Sequence, residues 1–170
     1  MNKETIQEKI DRAIESLVAD DLFLLDANVN ERSITHQLAV YLADEFVGYD
    51  YDIDCEYNRM FKDGQQAQKK SIPIEEMEKV SIGDISAKTV YPDIIVHYRE
   101  DDKHNLLIIE AKKSGCDPSE DYKKLNGFME EKNDNGLGYD FSAFVIFDTE
   151  NPDNSSAKVK QKGEKWQKTL

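Results

Sequence analysis

Asp93, Glu110 and Lys112 are the residues whose types and spacing could do chemistry together in this chain. Asp93 opens the apolar run Ile94-Ile95-Val96-His97-Tyr98. Glu110 and Lys112 follow the run Asn105-Leu106-Leu107-Ile108-Ile109, with the polar stretch 99–104 between the two. Two β-branched runs around a polar connection predict a β-hairpin, and Pro92 suits a strand start, where no ladder donor is needed. A turn centred on Asp101-Asp102 sets Asp93 directly across from Glu110. Such residues in an antiparallel pair stand about 4.5–5.5 Å apart at Cβ, and like charges there repel. Alternation puts Glu110 and Lys112 on one face of their strand, with Ile109 and Ala111 on the other. Two carboxylates and an ammonium thus converge at a strand end. That is costly unless something cationic sits between the carboxylates.

Pro92-Asp93, a spacer of sixteen residues and Glu110-Ala111-Lys112 resemble the PD-(D/E)xK signature of the restriction-endonuclease-like nuclease superfamily. The resemblance implies an α/β fold with a mixed four-stranded sheet flanked by helices, spanning roughly residues 29–148. It implies Mg²⁺, with Mn²⁺ as a substitute, held by Asp93, Glu110 and the Ala111 carbonyl. Lys112 would activate water and offset charge on the phosphate. A nucleic acid, DNA foremost, becomes the implied partner, and a homodimer is compatible with it. Asn30-Glu31-Arg32, Cys55-Glu56-Tyr57-Asn58-Arg59 and Tyr91-Pro92-Asp93 also resemble small uncharacterised bacterial members of the group. Two readings stand against an active nuclease. In one, the hairpin carries only a surface ion pair; in the other, a catalytically silent domain serves as a protein-interaction module.

The elements that must position these groups are legible from periodicity. Ile6, Ile10, Ile14 and Leu17 predict an amphipathic helix from Lys3 to about Ala19. A second helix, roughly 29–47, buries Ile34, Leu38, Tyr41, Leu42 and Phe46, and Glu31 shares that face. Glu31 has two readings: a capping box with Asn28, or a carboxylate reaching the metal site. From Tyr49 to Asn58, alternation predicts a strand whose acidic face (Asp50, Asp52, Asp54, Glu56) is a solvated sheet face. An excursion at about 60–89 is polar, with Lys62, Lys69 and Lys70 in it and a short helix at Ile74–Val80. Asp117-Pro118-Ser119-Glu120 predicts a helix start, and the helix runs to about Lys132. On its exposed side Lys123 and Lys124, with Arg59 from the earlier strand end, are candidate substrate contacts. Phe141–Phe147 predicts a buried strand parallel to the second hairpin strand through the helical crossover. His97 shares the Asp93 face and either lines the site or is a packed or partly exposed strand histidine.

One domain over 1–150 is expected, followed by a basic C-terminal tail, 151–170. That tail either forms a helix around Trp166 or binds nucleic acid. Apolar residues make up 39% of the chain and charged residues 34%, a soluble, polar composition. No run approaches the about 20 apolar residues of a membrane span. Cys55 and Cys116 lack metal-ligand spacing, so a reducing cytoplasm is the expected setting. A net charge of −13 argues against broad non-specific DNA binding, which rests on lysine and arginine neutralising phosphates. It leaves room for an enzyme that meets nucleic acid through a local patch.

Overall fold

The computed structural model describes residues 1–57, 59–60, 68–69, 71–73, 87–89, 91–99, 104–130 and 137–167. Its core is a five-stranded mixed sheet in the order β1-β6-β7-β8-β9. These strands are β1 (Asp52–Cys55), β6 (Ile94–His97), β7 (Leu107–Lys113), β8 (Phe141–Phe147) and β9 (Ser156–Gln161). Two short pairs lie apart from it: β2 (Arg59–Met60) with β3 (Gln68–Lys69), and β4 (Ser71–Pro73) with β5 (Ala87–Thr89). They fall within the stretch predicted as a polar excursion. The expected helix at 74–80, Lys62, Lys70 and the Asp101-Asp102 turn lie outside the described residues, as do the side chains of Arg59 and Lys69.

Period-2 patterning builds the sheet's two faces. Ile94, Val96, Leu107, Ile109 and Ala111 join one apolar cluster with helices α1 (Lys3–Asp20) and α3 (Glu31–Glu45). Ile95 and Ile108 join the other with Leu125 and Phe128 of helix α4 (Ser119–Met129). The short α2 (Leu22–Asp26) links the first two helices in sequence. β6 and β7 pair antiparallel with Ile94 opposite Ile109, the register that carries Asp93 toward Glu110. β7 and β8 pair in parallel, joined through α4 as their apolar runs require.

Side chains serve the starts of α1, α3 and α4. Asn2 Oδ1 accepts from the Thr5 amide, and Asn30 Oδ1 from the Arg32 amide at 2.9 Å. Asp117 Oδ1 accepts from both the amide and the hydroxyl of Ser119. Past β7, Gly115 turns the chain with φ +82°, a backbone conformation that favours glycine.

Three expectations need correction. The sheet has five strands, not four, because residues expected as a basic tail form β9, antiparallel to β8. Trp166 is not in a helix: its ring is buried against Tyr122 and Phe144, with its Nε1–H donated to Ser142 Oγ at 2.7 Å. The acidic face of β1 is not simply solvated either. Asp54 takes Arg99 Nη2 at 2.7 Å and bonds buried His97 at 3.0 Å, so one cation and one imidazole neutralise it.

On the far edge, Gln7 of α1 donates to the Ala157 carbonyl and accepts from the Val159 amide, at 3.1 and 3.0 Å. Its amide thus bonds β9 as a neighbouring strand would.

Candidate functional site

Asp93 sits at the entry to β6 and is held at two points. Its carbonyl accepts from the Glu56 amide at 3.2 Å, and its Oδ2 accepts from the Ala111 amide of β7 at 2.8 Å. Glu56 itself has φ 51°, an uncommon conformation for a non-glycine residue, at the turn leaving β1. Burial pushes the Asp93 carboxyl above its ordinary range, opposed by the Ala111 amide and by Lys124; Glu31 and Asp121 push it further up.

Glu110 lies on β7 with 1% of its surface exposed. Burial first, and Asp93 second, raise its carboxyl well above the usual carboxylate range. Its Oε2 takes the Lys124 ammonium at 2.8 Å. Its Oε1 is buried and accepts no hydrogen bond among the described residues. An orphaned carboxylate oxygen of this kind costs free energy unless a cation or water serves it.

The structure adds Asp121 of α4, also buried, to this group. Lys112 Nζ stands 3.3 Å from Asp121 Oδ2, and Lys124 Nζ stands 3.4 Å from Asp121 Oδ1. Burial lowers the Lys112 ammonium pKa, but Asp121 and Glu31 outweigh it, so the net shift is upward. Lys112 therefore stays charged near neutral pH. The ion pairs of the patch are Lys112 with Asp121 and Lys124 with Glu110, so Lys124 is the ammonium on Glu110. Lys124, expected on the exposed side of its helix, points inward. Lys123 beside it pairs with Glu120, at 2.9 Å. Spacing could have found Asp121, since Leu125 and Phe128 follow it by four and seven residues, as Ile34 and Leu38 follow Glu31 by three and seven.

Glu31 does not close a capping box with Asn28. Its Oε2 accepts from the Lys113 amide at 3.0 Å, while Asn28 Oδ1 accepts from Lys113 Nζ at 2.6 Å. The start of α3 and the turn before it thereby grip the end of β7, and the Glu31 charge is felt at Asp93 and Lys112. Between α3 and β1, a cleft of about 180 Å³ opens beside Asp93, lined by Arg32, Thr35, His36, Cys55 and Glu56. Burial pushes the Cys55 thiol up to about 11, so it is no thiolate nucleophile at neutral pH.

Among the described residues, no three His, Cys, Asp or Glu side chains are grouped as a metal ion held by protein alone would need. The donors present suit a different demand. Mg²⁺ keeps several waters and takes one or two carboxylates, and half-buried Asp93 and buried Glu110 are two carboxylates, with Glu110 Oε1 unserved among the described residues. No helix of the described residues is long and apolar enough to cross a membrane. No protein-family model, curated protein or solved structure matches the chain.

Proposed function

We propose that this chain is a divalent-metal-dependent phosphodiesterase of the restriction-endonuclease-like kind, acting on nucleic acid, DNA foremost, in the cytoplasm. The observation that supports it best is the buried, unserved Oε1 of Glu110 beside the half-buried Asp93. A fold gains nothing by keeping two repelling carboxylates in one place unless a cation joins them. Asp93 and Glu110, with the Ala111 carbonyl, would hold Mg²⁺ or Mn²⁺, and Glu31 would support them by its charge. When bound, the ion supplies a Lewis acid that polarises a phosphate and acidifies water.

The chain's own groups do the rest. Lys112 is charged and partly exposed, so it suits a positioning and charge-offsetting role better than that of a general base. The Ala111 amide holds the Asp93 carboxylate in one orientation, which fixes where its other oxygen points. Arg32 is on the cleft wall and pairs with Glu56 at 3.0 Å, an exposed contact that an incoming phosphate can replace.

The direct test is a cleavage assay with Mg²⁺ or Mn²⁺ across single- and double-stranded DNA and RNA, run beside Asp93→Asn and Lys112→Ala. Metal-dependent cleavage abolished by both substitutions is the expected result. Lys112→Ala should retain metal binding while losing hydrolysis. A second reading, an interaction module without catalysis, is favoured by the lysines that already neutralise Glu110 and Asp121. It predicts no cleavage and no response to divalent ions.

A further inference from the structure

We propose that Lys124 is a built-in counter-cation, holding Glu110 until a divalent ion enters and being displaced when it does. This rests on the metal-dependent reading above. The geometry is that of a cation standing where an ion would act. Lys124 Nζ lies 2.8 Å from Glu110 Oε2 and 3.4 Å from Asp121 Oδ1, two carboxylates that are almost wholly buried. The lysine side chain itself keeps 26% of its surface exposed, so its head has a way out to solvent along a flexible stem.

The pairing is incomplete in an informative way. A purely structural ion pair in a dry site needs its remaining lone pairs served, yet Glu110 Oε1 has no hydrogen bond among the described residues. Lys112 stands by Asp121 Oδ2 instead, at 3.3 Å, and makes no hydrogen bond to Glu110 Oε1. Lys124 therefore covers half of what the carboxylate requires. A divalent ion with its waters would serve both oxygens and repel the nearby ammonium, so ion entry and lysine release become one event. The released ammonium is then free to meet an anionic substrate.

Such linkage has a sign that a structural role lacks. Removing Lys124 should tighten metal binding, because no cation has to leave. Mn²⁺ binding, read by electron paramagnetic resonance at about pH 8, compares the wild type with Lys124→Met. The Met variant is expected to bind roughly tenfold tighter, within the range typical of coupled sites. Equal or weaker binding by the variant, with the wild type binding, overturns the counter-cation and leaves the phosphodiesterase reading standing. Binding by neither protein removes both. Should the Met variant fail to fold, ¹⁵N-lysine NMR of the wild type decides, with the Lys124 ammonium resonance assigned from the spectrum of Lys124→Arg. Movement of that resonance on adding Mg²⁺ supports displacement, and a resonance that stays fixed at saturation overturns it.

Discussion

Glu31 Oε2 accepts a 3.0 Å hydrogen bond from the Lys113 amide, joining the first turn of α3 to the end of β7 across 82 residues. Glu31→Ala should leave that amide without its partner and cost about 1–3 kcal/mol in chemical denaturation. Glu31→Gln keeps an acceptor and removes the charge. It should hold most of the stability but lower metal affinity, measured by Mn²⁺ titration. If the two variants lose stability equally, the bond is not what positions β7.

Metal should stabilise the fold. Asp93 and Glu110 stand together only in the folded chain, so an ion held by both would bind the folded state alone. At a hundredfold excess over its dissociation constant, Mg²⁺ or Mn²⁺ should add about 2.7 kcal/mol, seen as a rise in Tm. Asp93→Asn should abolish that increment and leave the metal-free protein equally stable or slightly more so. A wild-type melt indifferent to millimolar Mg²⁺ and Mn²⁺, unchanged by Asp93→Asn, would put the interaction module in place of the enzyme.

The metal-free protein should also lose stability as pH rises. Glu110, raised by burial and then by Asp93, keeps in the folded state a proton that the unfolded chain releases near its ordinary pKa of 4.5. Its contribution is complete below that value and is lost as pH climbs through the folded pKa. Asp93, raised chiefly by burial, acts with the same sign. Glu110→Gln should flatten the descent of Tm with pH and raise Tm at neutral pH. A Tm profile identical to wild type would show that Glu110 is not buried as described.

Trp166 tests the corrected C-terminal region. It is buried to 5% exposure, stacked on Tyr122 at 5.2 Å between centroids, and donates to Ser142 Oγ. Trp166→Ala should cost about 3–5 kcal/mol, as truncation of a large core aromatic does. A loss below about 1 kcal/mol would return residues 151–170 to the status of a tail.

Local pattern carried the hairpin and not the groups that meet across layers. The period of two and a polar turn place Ile94 opposite Ile109, because a one-residue slip would turn the apolar set out of the core. Phe141–Phe147 is legible at both ends since an apolar run interrupted only by Ser142 belongs in a buried strand. β9 hides because it is an edge strand: among Lys158, Lys160 and their neighbours only Val159 is buried, too short an alternation to read against five lysines. Glu31 can be read as inward-facing from spacing, but the choice between a helix cap and a strand-end bond depends on where β7 ends in space. The inward direction of Lys124 is not legible for a similar reason. Its ion pair is made across the sheet-to-helix gap, and no periodicity separates it from Lys123 beside it.

Gln7 bonds both Ala157 and Val159, so α1 is docked against a strand that is made 150 residues later. On a ribosome, α1 can pack on α3 early, but the side of it that meets β9 must wait until those residues are made. Contacts of such sequence separation slow folding and lengthen the time that apolar surface stays open. The polar face of α1 and the chain's excess of acidic residues are what keep that waiting helix in solution.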